Sequence, residues 1–136
     1  MRILIVEDEL ASRKFLTHVM TSYGECDSVE DGAEAVLAFI ESIESGNRYD
    51  LICLDIMMPE MDGQEALKEI REVEKEHDIP HRLETKVMMT TALADPSNVV
   101  EAYYKGGASV YLTKPLDVEK IREAMVELGF LKKSIE

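Results

Sequence analysis

Hydrophobic residues in this chain follow two periods in turn. Short apolar runs of strand length occur at Ile3–Val6, Leu51–Leu54, Val87–Thr91 and Ser109–Leu112, with a weaker one at Cys26–Val29. Near-continuous runs of this kind predict parallel strands covered on both faces, because neither face meets water. Between the runs, apolar residues recur at helical spacing. The five stripes are Phe15-Leu16-Val19-Met20-Tyr23, Ala35-Val36-Phe39-Ile40-Ile43, Ala66-Leu67-Ile70-Val73, Val99-Val100-Ala102-Tyr103 and Ile121-Ala124-Met125-Leu128. Punctuation supports them. Asp31 with Glu34 three positions on predicts a capping box variant. Asp95-Pro96 puts proline in the first turn of the fourth helix, and Gly106-Gly107 ends it. Asp117 caps the fifth helix and Gly129 stops it. The charged stretch 72–85, broken by Pro80, extends the third helix and then loops back.

Five strands alternating with five helices predict an α/β domain built on one doubly wound parallel sheet with right-handed crossovers. The boundaries read as one domain over 1–129 and a short tail over 130–136. At 136 residues, 46% hydrophobic and 32% charged, the chain is long enough to bury a core. No apolar run approaches the roughly 20 residues of a membrane helix. Strand pattern begins at Arg2, so neither a leader nor a membrane is expected, and the expected location is cytoplasmic. The net charge of −13 disfavours nucleic acid, whose phosphates need cationic partners. It suits divalent cations and basic partner patches. Cys26 and Cys53 have no metal-ligand spacing, and no disulfide is expected of a cytosolic chain.

Candidate chemistry collects at the strand ends. The first strand empties into Glu7-Asp8-Glu9, the third into Asp55, and the last into Thr113-Lys114-Pro115. Ligands of open α/β sheets sit outside the carboxyl ends of the strands. Two carboxylates about 4 Å apart repel by roughly 4 kcal/mol at an effective dielectric of about 20. Asp8 and Asp55 therefore call for a cation, and Mg2+, which prefers hard oxygen ligands, fits. Lys114 offers a compact charge on the other flank. A carboxylate so placed can act as a nucleophile toward a phosphoryl group. Thr91 offers it a hydroxyl; Thr90 points to the opposite face of the strand, so only one of the two can do this. Glu7, Asp8 and Glu9 have a plainer reading as caps of the first helix, and Asp62 reads as a cap of the third.

At these residues the chain resembles the receiver domain of two-component response regulators, including the chemotaxis regulators. The resemblance rests on Glu7-Asp8, on Asp55 within Asp-Ile-Met-Met-Pro-Glu-Met-Asp-Gly, on Thr91-Ala92 and Gly107-Ala108, and on Tyr111 with Lys114-Pro115. It implies a flavodoxin-like fold with strand order 2-1-3-4-5 and a cis Lys114-Pro115 bond. It implies that Asp55 is phosphorylated by a histidine kinase or phosphotransfer protein, and that the domain is a switch rather than an enzyme, with slow autodephosphorylation only. Mg2+ is to be held by Asp8, Asp55 and the Met57 carbonyl, with Glu7 acting through water. Thr91 and Lys114 are to contact the phosphoryl group. Thr91 and Tyr111 are to switch together and alter a target-binding face made of the fourth helix, fifth strand and fifth helix. The state is to be a monomer or a phosphorylation-dependent dimer. Met57 and Leu93 are apolar where the family often has polar groups, which suggests shielding of the acyl phosphate. Two readings compete: a small phosphatase with an aspartyl nucleophile, and a docking scaffold without phosphotransfer. The first lacks an acid two residues after Asp55. A nucleotide or flavin carrier is disfavoured, because no glycine-rich loop follows the first strand.

Overall fold

The computed structural model describes residues 1–58, 60–91 and 108–132. Its strands are β1 (Arg2–Val6), β2 (Glu25–Val29), β3 (Leu51–Asp55), β4 (Lys86–Thr91) and β5 (Val110–Thr113). They pair in parallel in the order β2-β1-β3-β4-β5, as the resemblance implied. The described helices are α1 (Leu10–Met20), α2 (Gly32–Glu44), α3 (Gly63–Glu76) and α4 (Val118–Glu127), the last being the helix opened by Asp117. The helix expected from Asp95 to Gly107 lies outside the described residues, as do Pro59, Ala92 and Leu93.

Alternation along the strands sorts their side chains into two apolar layers. Leu4, Val6, Ile52, Leu54, Val87 and Met89 pack with Ala35, Phe39, Leu67 and Ile70 of α2 and α3. Ile3, Ile5, Leu51, Cys53, Met88 and Val110 pack with Leu16, Met20, Ile121 and Met125 of α1 and α4. Both faces are covered, which is why the strand runs carry so few polar residues. Phe130 and Leu131 continue the second layer beyond α4. Burial pushes the Cys53 thiol up to about 12, the nearby Cys26 adding to the effect. Both cysteines are free.

Each described α-helix opens on an acidic cap. Asp31, Asp62 and Asp117 accept the backbone N–H three residues on, and Glu9 accepts those of Ala11 and Ser12. Carboxylates there satisfy orphan donors and oppose the positive end of the helix dipole. Glu34 reaches back to accept the Glu30 N–H at 2.8 Å, one residue earlier than the standard box. Gly129, at φ +87°, ends α4 in the left-handed region that glycine favours.

The stretch 72–85 hides a buried acid. Glu74 is fully buried near the end of α3. Its carboxylate lies 2.6 Å from Arg71 and 3.7 Å from Arg48, and it accepts the Thr85 N–H at 2.7 Å. The chain leaves α3, makes a 3-10 turn at His81–Leu83, and enters β4 tied to that acid.

Candidate functional site

Parallel strands bring their C-terminal ends to one edge, so β1, β3 and β5 deliver Glu7-Asp8, Asp55 and Lys114 to the same place. Glu7 and Asp55 are buried; Asp8 is exposed. The three acids each place an oxygen within 4.8 Å of the others. Lys114 Nζ lies 3.0 and 3.1 Å from the two Glu7 oxygens and 3.4 Å from Asp55 Oδ2. The Met57 N–H donates to Asp55 Oδ1 at 3.3 Å, while the Met57 side chain is exposed. Lys114-Pro115 is cis, and the Lys114 N–H donates to the Thr91 carbonyl at 2.7 Å.

Three acids face one lysine, and the imbalance falls on Glu7. Burial raises its pKa; the Lys114 hydrogen bond opposes this and the Asp55 charge adds to it, leaving it at about 7. For Lys114 burial works against the charged form, but the Glu7 hydrogen bond and the charges of Asp55 and Glu7 outweigh it, and its pKa is raised. Hard oxygen donors with unmet negative charge fit Mg2+. Asp8 and Asp55, with Glu7 beside them, could hold it.

Neighbouring elements set these positions. Glu9, not Glu7 or Asp8, takes the capping role at α1. Arg13 donates to the Glu7 carbonyl at 3.0 Å and fixes the turn from β1 into α1. Asp62 caps α3, and the Gly63 N–H donates to the Ile56 carbonyl at 2.9 Å. A Cβ on Gly63 would collide with the Asp55 carbonyl oxygen.

Strand register separates the two threonines. Thr90 pairs with Asp55, whereas Thr91 pairs with Thr113. Both are buried. By alternation Thr90 shares the face of Asp55, and Thr91 shares the face of Tyr111, which packs against the α2–α3 layer. The sequence did not show Glu7 as the main partner of Lys114. The signal was present: Glu7 continues the inward alternation of Ile3 and Ile5.

A family model described as the response regulator receiver domain matches residues 3–126. The chain belongs to that family. The receiver is 32% identical to the chemotaxis protein CheY of Bacillus subtilis over 126 residues, covering 91% of this chain and 93% of that protein. It is 32% identical to the hybrid signal transduction histidine kinase L of Dictyostelium discoideum over 129 residues, covering 94% of this chain but only 7% of the kinase. A crystal structure of the CheX-CheY-BeF3-Mg+2 complex from Borrelia burgdorferi superposes with a TM-score of 0.79 at 32% identity, covering 97% of this chain and 90% of that one.

Proposed function

We propose that this receiver is a phospho-accepting switch in which Asp55 takes a phosphoryl group from a histidine kinase or phosphotransfer protein. The observation that carries the reading is the lysine shared by Glu7 and Asp55 beside a three-acid cluster. An Asp55 carboxylate oxygen attacks phosphorus, the bond to the donor's leaving group breaks, and an acyl phosphate remains on the chain. Asp8, Asp55 and the Met57 carbonyl would hold Mg2+, with Glu7 acting through water, and the ion would supply neutralisation of the phosphoryl oxygens. The Borrelia CheY complex and the Arabidopsis thaliana CKI1 receiver crystallised with Mg2+ and BeF3-, which supports the reading of a Mg2+ site here.

Lys114 leaves part of its Glu7 contact to meet the new anion. Thr91, at the end of β4, contacts the group from the strand end and passes the change to Tyr111 on its own face. The face of β5, α4 and the helix expected over 95–107 then binds its target differently. The phosphoryl group adds roughly −1.5 to −2 charges and shifts two existing states by its differential contacts. The only chemistry is on the receiver's own side chain: acceptance and slow autodephosphorylation. Among the described residues no helix is long and apolar enough to cross a membrane.

Incubation with a small phosphodonor and Mg2+ tests the acceptor. The wild type is expected to form a hydroxylamine-sensitive acyl phosphate and Asp55→Asn none. Label that persists in the variant would place the acceptor elsewhere.

A further inference from the structure

We propose that the Thr90 hydroxyl is a second hydrogen-bond donor to the phosphoryl group on Asp55, an assignment that rests on the acceptor reading above. The sheet register carries it. Ile5, Cys53, Met88 and Val110 align across β1, β3, β4 and β5, and all four lie in the α1–α4 layer. Two residues on, alternation returns each strand to that face. There stand Glu7, Asp55, Thr90 and Leu112, with Asp55 paired to Thr90 and Thr90 to Leu112. The apolar layer thus ends, on the Asp55 side of Leu112, in three polar residues, Glu7, Asp55 and Thr90, of which Thr90 is the uncharged one and stands beside the acceptor.

Thr90 is 1% exposed, and its Oγ1 has no hydrogen-bond partner among the described residues. A buried hydroxyl in that state is destabilising and calls for an explanation. Its neighbours in the row are already engaged. Both Glu7 oxygens and Asp55 Oδ2 accept from Lys114, and Asp55 Oδ1 accepts from the Met57 N–H. The backbone holds Thr90 in place, since its carbonyl accepts the Ile56 N–H at 2.9 Å. A phosphoryl group on Asp55 brings three further acceptor oxygens to a side chain whose backbone lies about one strand spacing, ~4.8 Å, from that of Thr90. The hydroxyl then gains a charge-assisted bond that the free carboxylate does not offer it. The expectation that only one of the two threonines can meet the group is thereby revised: Thr90 holds it on the face of Asp55, and Thr91 meets it from the strand end and connects it to Tyr111.

Beryllofluoride, with Mg2+ present, is the probe, and its dissociation constant is measured by titration calorimetry on the full chain. Thr90→Val keeps shape and volume without the hydroxyl and is expected to weaken binding about tenfold. Thr90→Ser, which keeps the donor, is expected to stay within twofold of wild type. Mg2+ affinity and the melting temperature of Thr90→Val are expected to equal or exceed those of wild type, which separates lost donation from structural damage. Thr90→Ala gives the same comparison without the branched methyls. Wild-type binding matched by Thr90→Val and Thr90→Ala would overturn this assignment alone. Absence of binding by the wild type, or undiminished binding by Asp55→Asn, would overturn the acceptor reading and this assignment with it.

Discussion

Glu7 is fully buried and shares the Lys114 ammonium with Asp55. Its proton is held more tightly in the folded protein than at the ordinary value of 4.5, at about 7. The folded state therefore binds this proton where the unfolded chain has released it. The stability Glu7 contributes is complete below about pH 4.5 and is lost as pH rises through about 7. On the Mg2+ site proposed above, the ion would compete with the same proton. About a tenth of Glu7 is ionised one unit below its pKa, and about nine tenths one unit above. Mg2+ affinity is accordingly expected to be up to tenfold weaker at pH 6 than at pH 8, and Glu7→Gln is expected to flatten that profile. Calorimetric titrations at the two pH values check it; equal wild-type affinities would remove Glu7 from the metal's electrostatic surroundings.

At the scale of elements, the site depends on how α3 meets β3. Asp62 caps the helix, and Gly63 sits against the Asp55 backbone with no room for a Cβ. Gly63→Ala is expected to destabilise the fold by about 1–3 kcal/mol, the usual range for overpacking, and to slow phosphorylation by displacing Asp55. Chemical denaturation and phosphodonor kinetics measure the two effects. A fully stable variant with wild-type kinetics would show that the contact relaxes freely. Much at this scale was legible in the sequence. Asp31, Asp62, Asp117 and Gly129 announced helix ends because capping is local chemistry, read within four residues. The apolar runs announced strands because both sheet faces are covered. Which of Thr90 and Thr91 faces Asp55 was not legible, since register is a relation between strands distant in sequence. Glu9 was one of three adjacent acids, and only the turn geometry singled it out as the cap.

The molecule as a whole is tied together by contacts that composition conceals. Glu74 sits in a charged stretch and reads as solvated helix surface. It nevertheless occupies the inward position four residues after Ile70, and its partners Arg48 and Thr85 come from other parts of the chain. Removing one member of a buried ionic cluster leaves the others uncompensated. Glu74→Ala is expected to lower stability by about 3 kcal/mol and to raise hydrogen exchange across 79–86. Urea unfolding checks the first; a change below about 0.5 kcal/mol, the size of an ordinary surface substitution, would contradict it. In a chain of net charge −13, the two fully buried glutamates, Glu7 and Glu74, each lie against a cation. The two anchors of α3 together have a mechanical consequence. A rod bolted at its front end beside Asp55 and at its rear end through Glu74 does not slide along its axis. On the switch reading proposed above it would serve as a fixed rail, leaving change begun at the acidic rim to pass sideways, through β4 and β5 toward Tyr111.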